Sequence, residues 1–94
     1  MLFRSDLIKT SGYQVWPREI EEVISSHPAV AEVGVVGVND EMKGEAVRAW
    51  VVLRPGQSVT ETDIRGYCRE RLAGYKVPSK VEIRTELQIG RAHV

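Results

Sequence analysis

The sequence predicts an α+β fold: a two-layer domain with an N-terminal β-hairpin and a small antiparallel-rich sheet packed with two helices. Three observations carry this prediction. Two long strand patterns, Val30 to Val38 and Glu45 to Leu53, follow one another across a single polar turn. Two helical patterns open on recognisable start signals, at Pro17 and after Thr60. Ahead of both, the short apolar runs Leu7-Ile8 and Val15-Trp16 flank the turn residues Ser11-Gly12-Tyr13.

The hairpin is expected to use Asp6 to Thr10 and Gln14 to Trp16 as its strands. Gly12 between them takes a positive φ at little cost and leaves a bare backbone that a ligand can approach. Pro17 suits the first turn of a helix, where its missing N–H has no partner to lose. Glu19, Glu21 and Glu22 place negative charge near that helix N-terminus and read as a solvated face favoured by the macrodipole. Ile20, Val23, Ile24 and His27 recur at helical spacing as the inward face. The helix is expected to end near Ser26, since Pro28 pushes His27 out of the α region.

Valine-rich Val30 to Val38 suits a strand, and Gly34 and Gly37 within it predict a bulge or a close backbone approach. Asn39 to Gly44 reads as a turn. In the next strand Val47, Ala49, Val51 and Leu53 fall on one face, with Arg48 and Trp50 on the other. Thr60 is a good N-cap, and Asp63 three residues on echoes a capping box. Ile64, Tyr67, Cys68 and Leu72 give the second helix its inward stripe, Gly74 stands where a C-terminal cap is expected, and Lys80 to Arg84 is a last short strand.

At 94 residues, with 43% apolar and 28% charged residues, the chain has an ordinary globular balance and room for one small domain. A formal net charge of zero disfavours a general polyanion-binding role. The single cysteine, Cys68, cannot form an internal disulfide and reads as a core residue; this fits a reducing, cytoplasmic setting. No apolar run approaches the roughly 20 residues of a membrane span. One cysteine and two separated histidines match no metal pattern, and His27 reads as a helix-end residue.

Two clusters stand out. Lys9, Ser11, Gly12 and Tyr13 gather a cation, a hydroxyl, a bare backbone and an aromatic ring in one hairpin. Tyr75-Lys76-Val77-Pro78 repeats an aromatic and a cation just after a helix. An aromatic face beside a lysine can hold a purine and a phosphate.

These residues sit in text that resembles the C-terminal domain of the adenylate-forming superfamily, which includes acyl-CoA synthetases, luciferases and peptide-synthetase adenylation domains. The matching stretches are DLIKTSGYQVWPREIEEVISSHPAVAEVGVVGV, GEAVRAWVVL and CRERLAGYKVPSKVE, and their tone is closest to fatty acyl-CoA ligases. The resemblance implies residues 1–87 as the small C-terminal domain of an AMP-forming acyl-CoA synthetase. Such enzymes use ATP with Mg and take CoA as acceptor. It also implies a large N-terminal adenylation domain as partner, inactivity of the small domain alone, and a docking surface through which it could self-associate. Residue by residue, Ser5 falls on the hinge and Lys9 on the lysine that faces the active site in the thioester-forming conformation. Ser11 and Gly12, with Tyr13 beside them, fall on the turn lining the pantetheine tunnel, and Tyr75 and Lys76 on a CoA-nucleotide contact. The Gly-Arg pair expected before the hinge is absent at Leu2-Phe3-Arg4. The family's adenylation lysine is absent too, since residues 88–94 contain no lysine and read as vector-derived. The competing reading is a stand-alone protein- or RNA-interaction module using Trp16 and Trp50. An RNA-binding sheet needs exposed aromatics on central strands and a basic face, and Trp50 is the only aromatic of the two long strands.

Overall fold

The computed structural model of the chain describes residues 7–84. The expected hinge residue Ser5 and the tail 88–94 lie outside the described residues. The elements run β1 (Ile8–Thr10), β2 (Tyr13–Val15), α1 (Pro17–Ser25), β3 (Val30–Asp40), β4 (Gly44–Leu53), α2 (Glu61–Arg69), a 3₁₀ turn (Gly74–Lys76) and β5 (Lys80–Arg84). This is the α+β order that the sequence predicts, with boundaries moved by one or two residues except at the end of α2.

β4 is the spine of the sheet. It pairs antiparallel with β3 from Val30↔Leu53 to Asp40↔Gly44, and with β1 at Thr10↔Gly44. β5 lies parallel to β4, from Arg48↔Lys80 to Val52↔Arg84. A parallel neighbour cannot be reached by a tight turn, and α2 with the 3₁₀ turn supplies the crossover. The strand order is β2-β1-β4-β3, with β5 also on β4, so the long strand β3 forms one edge.

Both helices pack on one face of this sheet. Ile20 and Ile24 of α1, Ile64 and Cys68 of α2, and Val47, Ala49 and Val51 of β4 form one buried cluster with Ile8, Val15, Val35 and Val81. The alternation expected in β4 is therefore observed, with Arg48 exposed and Trp50 half-buried on the opposite face. α2 opens on a complete capping box. Thr60 Oγ1 accepts from the Asp63 amide at 3.1 Å, and Asp63 Oδ2 accepts from the Thr60 amide at 3.0 Å. Aspartate is shorter than the usual Glu or Gln, yet it closes the box.

Three expectations are corrected. The register irregularity of β3 lies between Val30 and Glu32, not at the glycines. Gly34 instead admits a side chain: a Cβ there would stand 2.3 Å from the Trp50 indole. Gly74 does not cap α2, which ends at Arg69 with Glu70 as a right-handed C-cap; Gly74 begins the 3₁₀ turn. The acidic face of α1 is not merely solvated. Glu19 Oε2 binds Lys76 Nζ at 2.9 Å, and Glu21 Oε2 accepts from the Val35 amide of β3 at 3.1 Å. Such ties join segments far apart in sequence, which local patterning cannot reveal.

Candidate functional site

The hairpin turn is built by two successive left-handed residues, Ser11 at φ 53° and Gly12 at φ 84°. Both central residues at positive φ give the tight two-residue turn whose twist matches flanking antiparallel strands. The Ser11 amide donates to the Lys43 carbonyl at 2.8 Å, which fastens this turn to the β3–β4 turn. That second turn is itself fixed by Asp40, whose Oδ1 accepts from the amides of Met42 and Lys43, both at 2.9 Å. These two bonds hold the Asp40 carboxyl below its ordinary value. Around Gly12 there is open space: beyond its chain neighbours, no heavy atom lies within 4 Å of where a Cβ would stand. The tip of the turn is a bare backbone facing outward.

Tyr13 follows the turn and meets the second cluster. Its ring stacks on Tyr75 with centroids 4.0 Å apart and planes 13° from parallel. Tyr75 belongs to the 3₁₀ turn, which is closed by the Lys76 amide donating to Ala73 O at 2.9 Å. The two tyrosines remain 52% and 37% exposed, so each keeps solvent contact beyond the stack. Lys76 stands beside them, its ammonium 5.7 Å from the Tyr75 ring centre. The hydrogen bond from Lys76 to Glu19 raises the lysine's pKa and fixes where its charge sits.

The two clusters are therefore one surface, although most of the chain separates them in sequence. A cleft of about 80 Å³ runs between the turns, lined by Thr10, Ser11, Lys43, Gly74, Tyr75 and Ser79 among others. Lys43 and Glu19 belong to this surface and carry no local signal of it in the sequence. Lys9 stands apart. It is exposed on β1 between buried Ile8 and Thr10, so strand alternation sends its side chain to the opposite face of the hairpin. Its amide donates to Glu45 Oε1 at 2.8 Å, and Lys9 does not line the cleft.

The remaining candidates are structural. His27 Nδ1 accepts from the Ala29 amide at 3.0 Å, and its ring meets Tyr67 edge-on at 4.8 Å, as a helix-end residue does. Cys68 is fully buried, and burial raises its thiol pKa. Among the described residues no group of three or more His, Cys, Asp or Glu could hold a metal ion, and no helix is long and apolar enough to cross a membrane.

Comparison with known proteins adds the decisive finding. The family profile described as "AMP-binding enzyme C-terminal domain" matches residues 19–92. The chain belongs to this family. Among curated relatives, the 2-succinylbenzoate–CoA ligase of Geobacillus kaustophilus is 49% identical over 84 residues, covering 89% of this chain and 17% of the ligase. The long-chain-fatty-acid–CoA ligase of Escherichia coli O157:H7 is 48% identical, covering 89% of this chain and 15% of the ligase. Among solved structures, ATP-bound MatB from Rhodopseudomonas palustris matches with a TM-score of 0.81 and 38% identity over 85% of this chain and 16% of that one. The fatty acyl CoA synthetase of Mycobacterium tuberculosis gives a TM-score of 0.78 and 46% identity over 84% and 16%. The chain thus spans 15–17% of the length of these curated relatives.

Proposed function

We propose that this chain is the mobile C-terminal domain of an AMP-forming acyl-CoA synthetase, in which a carboxylic acid, ATP and CoA give acyl-CoA, AMP and pyrophosphate. In this reading the Ser11–Tyr13 hairpin and the Tyr75–Lys76 turn form the CoA-facing surface of the thioester half-reaction. The observation that supports it most is the Tyr13–Tyr75 stack beside Lys76, since it joins in space the two segments that the family resemblance assigns to CoA. An aromatic face takes the adenine, while the ammonium faces phosphate. The bare backbone at Gly12 leaves a path for the narrow pantetheine arm. Lys9, on the other face of the hairpin, would turn toward the reacting acyl group once the domain docks.

ATP and Mg would be held by a large adenylation domain, and Ser5 would be the hinge to it. Because the chain carries no lysine in residues 88–94, it supplies no adenylation lysine there, and alone it is proposed to be inactive. A cytoplasmic setting fits a thiol acceptor and a single unpaired Cys68. Without its partner domain, the exposed docking surface is also proposed to permit weak self-association.

The test uses the intact enzyme. Tyr75→Ala should raise the KM for CoA by about ten- to a hundredfold, the loss expected for one stacked base, with acid-dependent ATP–pyrophosphate exchange unchanged. Tyr75→Phe should retain near-normal CoA affinity. An unchanged KM in Tyr75→Ala would remove the CoA assignment.

A further inference from the structure

We infer that the cleft between the hairpin turn and the 3₁₀ turn seats a phosphate group of the thiol acceptor, with Lys43 supplying the charge and Thr10 a buried hydrogen-bond donor. This rests on the reading of the Tyr13–Tyr75 surface as CoA-facing, and adds to it two residues outside the resemblance.

Thr10 ends β1, next to Ser11, and is only 4% exposed. Among the described residues its hydroxyl has no hydrogen-bond partner. A buried hydroxyl left unpaired costs free energy, so one kept in a folded chain calls for an explanation. Thr10 lines the cleft of about 80 Å³ together with Ser11, Lys43, Tyr75 and Ser79. Ser79 spends its own hydroxyl proton on the Val47 carbonyl at 3.1 Å. The Thr10 proton is uncommitted, and a ligand oxygen in the cleft would take it.

The charges around the cleft single out Lys43. Lys76 is paired with Glu19 at 2.9 Å, so the two together carry no net charge. Lys9 does not line the cleft. Lys43 does, is exposed, and among the described residues has no carboxylate within 4.0 Å. Asp40, on the same turn, gives its Oδ1 to two backbone amides, one of them that of Lys43. The Lys43 carbonyl accepts from the Ser11 amide, so this backbone is pinned on both sides. Only the flexible stem is left to follow a ligand.

Hydroxyl donors and one unspent cation, with no carboxylate among the described lining residues, suit an anion rather than an amine. Pockets for whole ligands run to roughly 300–1,000 Å³, so a cleft of about 80 Å³ admits a group and not a nucleotide. A phosphate beside Tyr75 meets both limits: the base lies on the aromatic face and the phosphate enters next to it. Lys76, balanced by Glu19, donates a hydrogen bond, while Lys43 brings the charge. A thiol without phosphate gains nothing from either Lys43 or Thr10.

The experiment measures the KM of the intact ligase for CoA, dephospho-CoA and pantetheine. Lys43→Met should raise the KM for CoA about tenfold, as for one lost charge-assisted hydrogen bond, and leave that for pantetheine unchanged. A penalty that persists with dephospho-CoA assigns the cleft to the pyrophosphate, and one that vanishes assigns it to the 3′-phosphate; both support the inference. Thr10→Val keeps the shape and drops the hydroxyl, and should raise the KM for CoA severalfold, again without effect on pantetheine. Because that hydroxyl is unpaired without ligand, Thr10→Val should leave the Tm equal or higher. A lowered Tm would overturn the inference, since the fold itself would then use the hydroxyl. So would no shift in Lys43→Met, or equal shifts for CoA and pantetheine. The CoA reading is decided separately: a raised KM in Tyr75→Ala with none in Lys43→Met strikes the phosphate seat alone.

Discussion

At Gly12 and Gly34 the absent side chain matters for opposite reasons. Gly34 has normal backbone angles and no room, because the Trp50 indole occupies the place of a Cβ. Gly34→Ala should therefore cost about 1–3 kcal/mol by overpacking. Trp50→Val should relieve that cost, so the double variant in urea unfolding should be more stable than the sum of the two singles predicts. Gly12 has room but a φ of 84°, which residues other than glycine rarely adopt. Gly12→Ala should cost about 1–2 kcal/mol through the backbone alone, and Gly12→Asn less, since Asn tolerates the left-handed region. Because Gly12→Asn keeps the turn but fills the open space, it should slow thioester formation in the intact enzyme while sparing adenylation. Loss of both half-reactions in step with a lowered Tm would leave Gly12 a turn residue only.

Among the elements, α2 and the β3–β4 turn depend on single polar side chains. Thr60→Ala removes the acceptor for the Asp63 amide and should lower stability by about 0.5–2 kcal/mol. Asp40 gives a pH signature. Its folded pKa is depressed below the ordinary 3.8 by two backbone donors, so its contribution is complete above that value. As the pH falls through the lower folded value the contribution is lost. Asp40→Asn keeps an acceptor oxygen and should flatten that acid limb of the stability curve, as read by unfolding midpoints from pH 5 downward. These local devices were legible in the sequence because they lie within four residues: the Pro17 start, the Thr60–Asp63 box and the alternation of β4. The end of α2 escapes local patterning for a matching reason. Gly74 imitates a cap by composition, while the helix stops at Arg69 and the 3₁₀ turn uses Gly74 instead.

For the whole molecule, what patterning missed is what crosses it. Valine content marked β3 and β4, but nothing local shows that β5 joins β4 in parallel or that Trp50, Arg48, Lys80 and Arg84 share a face. The residues proposed to face CoA rest on resemblance, and only the folded chain brings Tyr13 onto Tyr75 while leaving Lys9 on the other face. The hydrogen bond from the Val35 amide to Glu21 has a consequence for the molecule in company. β3 is a long, valine-rich edge, and an edge strand with idle amides recruits strands from other chains. Glu21 occupies one of those amides with a charged group carried on a helix, so an incoming strand would have to displace a carboxylate to continue the ladder. Glu21→Ala should leave the fold intact yet shorten the lag of thioflavin-positive aggregation in concentrated solution. An unchanged lag would mean that the edge is guarded elsewhere. A shortened lag would make the carboxylate a gatekeeper against polymerisation, keeping single a domain whose sheet otherwise lends itself to fibres.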